Sequence, residues 1–182
     1  MRLFIACELP QEIVTSIKII QHELQQKDLF QGTYPSLEQA HITLLFLGTI
    51  NPETFPHLVD EFQQTDFRRP LFLQLSKLEC DNKQHPRVLW IEIVSENLSF
   101  LVQNLEERLK KFIKSPEKRA FRPHITLARI KKCPDIRLFL EFISSYPVPQ
   151  LTFEITHCIL QESVLLFTGP EYTTRAMINL NQ

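Results

Sequence analysis

The tetrapeptide His-Ile-Thr-Leu occurs twice in this chain of 182 residues, at 41–44 and at 124–127, and each copy sits in the same order of elements. An apolar extended run and an amphipathic helical run precede it, and a second helical run and another extended run follow. The extended runs "RLFIACEL" (2–9) and "RVLWIEIV" (87–94) begin 85 residues apart, and the two motif histidines are 83 apart. The repeat is thus in register over roughly 2–80 and 87–160, which marks a duplication far more strongly than a recurring tetrapeptide alone. A chain doubled in this way is constrained to two similar lobes. With 43% hydrophobic residues it can bury one substantial core, or two small lobes sharing a cleft, whereas two independent domains would be cramped. The expected organisation is a single bilobal domain over 1–182, with both motif strands lining the gap about a pseudo-two-fold axis.

The remaining elements follow from periodicity. "PQEIVTSIKIIQHEL" (10–24) sets Ile13, Ile17, Ile20 and Leu24 at helical spacing behind Pro10, a residue suited to a first turn. "NPETFPHLVDEF" (51–62) predicts a second helix whose start is blurred by Pro56, and "PLFLQLSKLEC" (70–80) reads as extended. After the polar turn "DNKQHP" the order begins again. "NLSFLVQNLEERLKKFI" (97–113) is an amphipathic helix and "PDIRLFLEFI" (134–143) another, while "QLTFEITHCIL" (150–160), "SVLLFT" (163–168) and "RAMINL" (175–180) predict three strands.

Side chains alternate across a strand, so His41 and Thr43 share one face while Ile42 and Leu44 share the other, and the second copy does the same with His124, Thr126, Ile125 and Leu127. Each lobe thereby offers one imidazole and one hydroxyl, held rigidly by an apolar pair buried behind them. Two histidines and two hydroxyls around a small cavity suit phosphodiester chemistry. A neutral imidazole takes a proton from the attacking oxygen, an imidazolium protonates the departing one, and the hydroxyls hold the non-bridging oxygens. Which histidine plays which part is open at this level. His22, His57, His85 and His157 have no such twin and are expected in structural or solvent roles.

Competing uses of the same residues find less support. Neither motif histidine has a third ligand at zinc spacing, so no metal is expected, and no glycine-rich phosphate loop or G-x-S-x-G elbow occurs. Cys7, Cys80, Cys133 and Cys158 stand far apart without C-x-x-C spacing or an opening signal-like segment, which points to reduced thiols in a cytoplasmic protein. No apolar run approaches the ~20 residues of a membrane helix. A net charge of −1 excludes a strongly basic nucleic-acid coat, although a balanced total can hide local patches.

The stretches "RLFIACELP", "HITLLFLG", "PRVLWIEI", "FRPHITLAR" and "LQESVLLFTGPEY", in this order, resemble the RNA 2′,3′-cyclic phosphodiesterases, historically called 2′-5′ RNA ligases, of the 2H phosphoesterase superfamily. The resemblance covers nearly the whole chain and implies an α+β fold of two pseudo-symmetric lobes of antiparallel sheet with outer helices around a central cleft. It further implies opening of a terminal 2′,3′-cyclic phosphate to a 2′-phosphomonoester without metal or other cofactor. By the motif match His41 resembles the proton donor to the leaving 3′-oxygen and His124 the acceptor that activates water. Thr43 and Thr126 match the phosphate-holding positions, and Arg129 matches an arginine that reaches the phosphate. Simple alternation sets Arg129 opposite His124, so that role requires the strand to end or bulge. Cys7 and Ala128 are small departures, at positions more often aliphatic and often glycine respectively.

The implied partner is RNA with 2′,3′-cyclic ends, transfer-RNA fragments being one source, and a bilobal enzyme with an internal two-fold has no need of a partner subunit, so a monomer is expected. Ten of the twenty Lys and Arg residues fall between Arg108 and Lys132, a strip able to track an RNA backbone. Phe4 and Phe121 are candidates for stacking on a base. The alternatives are a same-fold enzyme acting on other cyclic or 2′-5′-linked nucleotides or joining RNA ends, and an RNA-binding module without catalysis. A pure binder would have no use for two titrating imidazoles.

Overall fold

Strand β1 (Arg2–Glu8) opens the chain and passes through Pro10 into helix α1 (Gln11–Lys27), whose Ile13, Ile17, Ile20 and Leu24 form one buried stripe. The computed structural model describes residues 1–67, 71–114, 120–167 and 169–180. A short strand β2 (Gln31–Thr33), which periodicity did not suggest, precedes the first motif strand β3 (His41–Thr49). Helix α2 (Phe55–Gln63) begins four residues later than expected, with Pro56 in its first turn, where a missing N–H is harmless. Strands β4 (Leu71–Cys80) and β5 (Val88–Val94) form a hairpin, and helix α3 (Leu98–Leu109) leads to the second motif strand, β6 (His124–Lys132). Helix α4 (Ile136–Ser145) is capped by Asp135, whose side chain accepts from the amide of Leu138 at 2.9 Å.

The C-terminal strands depart from the expected pattern. The run 150–160 is two strands, β7 (Thr152–Ile155) and β8 (His157–Leu166), broken at Thr156, and the run expected separately from 163 is the end of β8. The last strand, β9 (Gly169–Asn179), is longer than the run 175–180. Alternating hydrophobicity continues through Thr156, so periodicity could not show that the chain there leaves one strand neighbour for another. Pro70 and Thr168, at the edges of two predicted strands, lie outside the described residues.

The nine strands among the described residues belong to one sheet in the order β7-β4-β5-β6-β3-β1-β8-β9, with β2 on β6. The two motif strands are its centre, meeting antiparallel at the single pair Ile42–Ile125. One lobe is thus β3-β1-β8-β9 and the other β6-β5-β4-β7. Each stretch of the sequence repeat gives its last long strand to the opposite lobe, since β4 pairs with β5 and β8 with β1. Two helices cross over as well, α1 packing against β6 and α3 against β3, while α4 packs on β4 and α2 on β9 and α3.

The helices cover one sheet face. Ile42 and Ile125, both fully buried, join the α1 and α3 stripes in the main core. On the opposite face the described residues form a small apolar cluster, Phe4, Ala6 and Ile159 with Tyr172 against it, and the centre of that face holds polar side chains. Cys7 and Cys158 lie thiol to thiol in the core, Sγ to Sγ 3.5 Å, where their mutual contact and burial push the Cys7 thiol well above its ordinary range. No helix among the described residues is long and apolar enough to cross a membrane.

Candidate active site

Antiparallel pairing at Ile42–Ile125 fixes what surrounds it. One residue to either side, the register faces His41 to Thr126 and Thr43 to His124, on the face opposite the core. Both histidines and both threonines are half-buried. The four motif side chains, two from each lobe, therefore share one patch in the cleft.

The rings are oriented alike. His41 Nδ1 lies 2.6 Å from the carbonyl of Gln39, and His124 Nδ1 lies 2.7 Å from the carbonyl of Arg122. A carbonyl only accepts, so each Nδ1 carries the proton and each neutral ring turns a basic Nε2 away from the backbone. In His41 that nitrogen is 3.1 Å from the hydroxyl of Thr43. Desolvation is the main cause that lowers both imidazoles below their ordinary value of 6.5; the carbonyl bonds raise them in part, and the Arg129 guanidinium lowers both. His41 is further lowered by His124, which is how two titrating groups at close range behave.

Arg129 reaches this patch through a bulge. In the pairing of β5 with β6, Leu89 faces Ala128 but Trp90 faces Thr126, leaving Leu127 as an extra residue. Leu127 and Ala128 are both buried, which reverses the alternation and brings Arg129 onto the histidine face. The carbonyl of Leu127 accepts from Nε2 of the buried Gln21 on α1 at 3.0 Å. Strand β3 has the same bulge, with Leu44 and Leu45 both buried and Phe46 turned outward. Phe46 is thus the counterpart of Arg129, and the two lobes share a backbone but differ in what they present there.

The arrangement supplies two basic imidazole nitrogens, two hydroxyls and a guanidinium, a set able to bind a phosphoryl group and move protons on both sides of it. The sequence matches the 2'-5' RNA ligase superfamily over residues 9–163. The chain belongs to this superfamily. The RNA 2',3'-cyclic phosphodiesterase of Archaeoglobus fulgidus is 30% identical over 175 residues, covering 94% of this chain and 96% of that protein. The protein of the same description from Methanocaldococcus jannaschii is 27% identical, with 94% and 96% covered. Among solved structures, a Thermus thermophilus protein superposes with a TM-score of 0.79 at 26% identity, covering 100% of this chain and 98% of its own. Escherichia coli LigT in apo form shares the fold, with a TM-score of 0.80 at 24% identity and the same coverage.

In this 2'-5' RNA ligase superfamily member the other sequence candidates fall in different places. Phe4 is only 4% exposed. Its ring lies 5.1 Å from that of His41 and 5.1 Å from that of Tyr172, so it backs the imidazole and leaves little open face for a base. Phe121 is half-buried in the wall of a recess next to His124. Among the described residues the basic run 108–132 meets several different partners. Arg108 and Lys111 pair with Glu61 at 3.2 and 2.7 Å, Lys110 pairs with Glu107, Lys118 and Arg119 lie outside the described residues, and Lys131 and Lys132 line a separate shallow pocket with Arg87. His157, half-buried at the start of β8, bonds Glu8 at 2.9 Å.

Several residues beside the motifs were not singled out by sequence. Tyr172 sets its ring edge-on to His41 at 5.3 Å, and Trp90 lies 5.0 Å from the ring of His124. Trp90 sits in the expected strand 87–94, yet nothing in strand periodicity distinguishes an aromatic facing a cleft from one facing a core, and Tyr172 lies in the part of β9 that precedes the expected run 175–180. Applying the 83-residue offset to Arg129 would have found Phe46. Among the described residues no three His, Cys, Asp or Glu side chains gather closely enough to hold a metal ion.

Proposed function

We propose that this protein hydrolyses the terminal 2′,3′-cyclic phosphate of RNA to a 2′-phosphomonoester, by acid–base catalysis between His41 and His124 without a metal. The observation that carries the reading is the meeting of the two motif strands at Ile42–Ile125, with Arg129 brought to the same face. Relatives covering nearly the whole chain are RNA 2',3'-cyclic phosphodiesterases, which supplies the substrate class.

In this reading the cyclic phosphate lies between the two rings. Arg129, Thr43 and Thr126 donate to its non-bridging oxygens and hold phosphorus in line. His124 is neutral and takes a proton from water at Nε2 as the oxygen attacks phosphorus. His41 is protonated and delivers its Nε2 proton to the 3′-oxygen as the P–O3′ bond breaks. The two lowered imidazoles match these needs in different ways. His124 stays basic near neutral pH, while the anionic phosphate favours the imidazolium of His41, offsetting the desolvation that otherwise keeps it neutral.

The test is to incubate the protein with an RNA oligonucleotide ending in a 2′,3′-cyclic phosphate, in excess chelator, and identify the product. A 2′-phosphate end is the expected result. A 3′-phosphate, or loss of turnover on chelation, overturns the mechanism. Turnover confined to small cyclic nucleotides would favour a same-fold enzyme of other substrate, and binding without turnover an inactive RNA-binding module.

A further inference from the structure

Next to His124 lies a recess of about 440 Å³, within the range of small-molecule sites. The β4–β5 hairpin and the loop before β6 build it. Strand β4 supplies Glu79, β5 supplies Trp90 and Glu92, and the loop before β6 supplies Phe121, Arg122 and Pro123. Pairing sets Glu79 beside Trp90 and Glu92 beside His124. None of the rings around His41 lines this space.

The lining is selective in its chemistry. Phe121, half-buried, offers a ring surface that suits a flat molecule, while Trp90, 8% exposed, presents only its rim to the recess. Glu79 and Glu92, as carboxylates, only accept hydrogen bonds, while Arg122 on the same wall only donates. Lys77 approaches the two carboxylates at 3.8 and 3.6 Å, Lys83 lies 4.0 Å from Glu79, and the amide of Cys80 donates to Glu79 Oε1 at 3.2 Å; lysine pairs reaching out to solvent are weak, and each carboxylate keeps lone pairs for other donors. A flat group with N–H donors on its edge fits such a wall, and a nucleobase is that group. Guanine has a ring N–H beside an exocyclic amino group, two donors side by side that match two carboxylate oxygens. Adenine and cytosine have the amino group alone, and uracil has only a ring N–H.

We infer that the recess beside His124 is a nucleobase subsite that selects bases bearing an exocyclic amino group, guanine foremost. The inference rests on the RNA reading given above for its source of nucleobases. It gives the enzyme a base preference that the phosphate-binding residues cannot supply.

Trp90 is the single tryptophan of the chain, so its fluorescence reports on this recess. The whole protein is titrated with guanosine and with uridine, neither of which carries a phosphate. Guanosine should quench the emission saturably, with an apparent Kd several-fold lower than that of uridine. In the Glu79→Gln, Glu92→Gln double variant that difference should vanish, because each amide replaces an acceptor oxygen with a donor. Phe121→Ala, a milder change at the recess edge, should weaken both nucleosides alike. No saturable quenching, equal affinity for the two nucleosides, or discrimination that survives in the double variant would overturn the assignment. Nucleosides are bound without being turned over, so the outcome is separate from that of the hydrolysis assay. Turnover without quenching removes the subsite alone, and quenching without turnover removes the hydrolase reading alone.

Discussion

At the scale of single residues, the carbonyls of Gln39 and Arg122 fix the tautomers of His41 and His124, and desolvation with Arg129 sets their titration. Both imidazoles are lowered from 6.5, and kcat/KM follows the free enzyme. Its bell-shaped profile should therefore have its maximum on the acid side of 6.5. Arg129→Gln removes a positive charge that lowers both rings, so the maximum should move toward higher pH. The rate should fall by roughly 10²-fold as one donor to the phosphate is lost. Arg129→Lys, which keeps the charge but not the planar fork, should keep the pH profile while still losing rate. A profile that Arg129→Gln leaves unmoved would mean that the guanidinium does not act on the imidazoles.

At the scale of elements, the bulge in β6 is what makes Arg129 useful, and α1 secures it through Gln21. The extra residue Leu127 would otherwise leave a buried carbonyl without a partner. Gln21→Leu should cost about 1–3 kcal/mol, lowering Tm by roughly 2–12 °C for a chain of this size, and turnover should fall with it because Arg129 follows two residues on. A variant that melts like the wild type would rule out this support. Gly32 on β2 faces the same segment, and a Cβ there would stand 2.3 Å from the carbonyl oxygen of Arg129. Gly32→Ala should therefore destabilise by about 1–3 kcal/mol, measured by thermal melting. The motif strands and the apolar stripes of α1 and α3 were legible in the sequence because their periods are long and clear. The bulge was only a condition on the role of Arg129, since Leu127-Ala128 is a short apolar pair that fits a strand of either phase. The recess was not legible, because Glu79, Trp90 and Phe121 come together only through the order of strands.

At the scale of the molecule, the exchange of β4 and β8 between lobes binds the two stretches of the repeat into one folding unit. Separated at the 81–86 turn, residues 1–82 would lack β5 for β4 and β8 for β1. Each fragment alone should be unfolded by far-UV circular dichroism, and mixing should restore structure. A cooperative melt from either fragment alone would show that the lobes fold independently. Sequence offset revealed the doubling but not the exchange, because pairing partners are chosen by tertiary packing, which leaves no mark on the alternation of any one strand. In the proposed function this doubling delivers one imidazole from each lobe to a single phosphate. That convergence is tested most directly by kcat/KM for cyclic-ended RNA with His41→Ala, His124→Ala and the double variant, each checked for native circular dichroism. Losses of roughly 10²–10⁴-fold are expected for each single variant, with a double variant little worse than either, as for groups acting as a unit. Wild-type turnover in either folded single variant would contradict the proposed function.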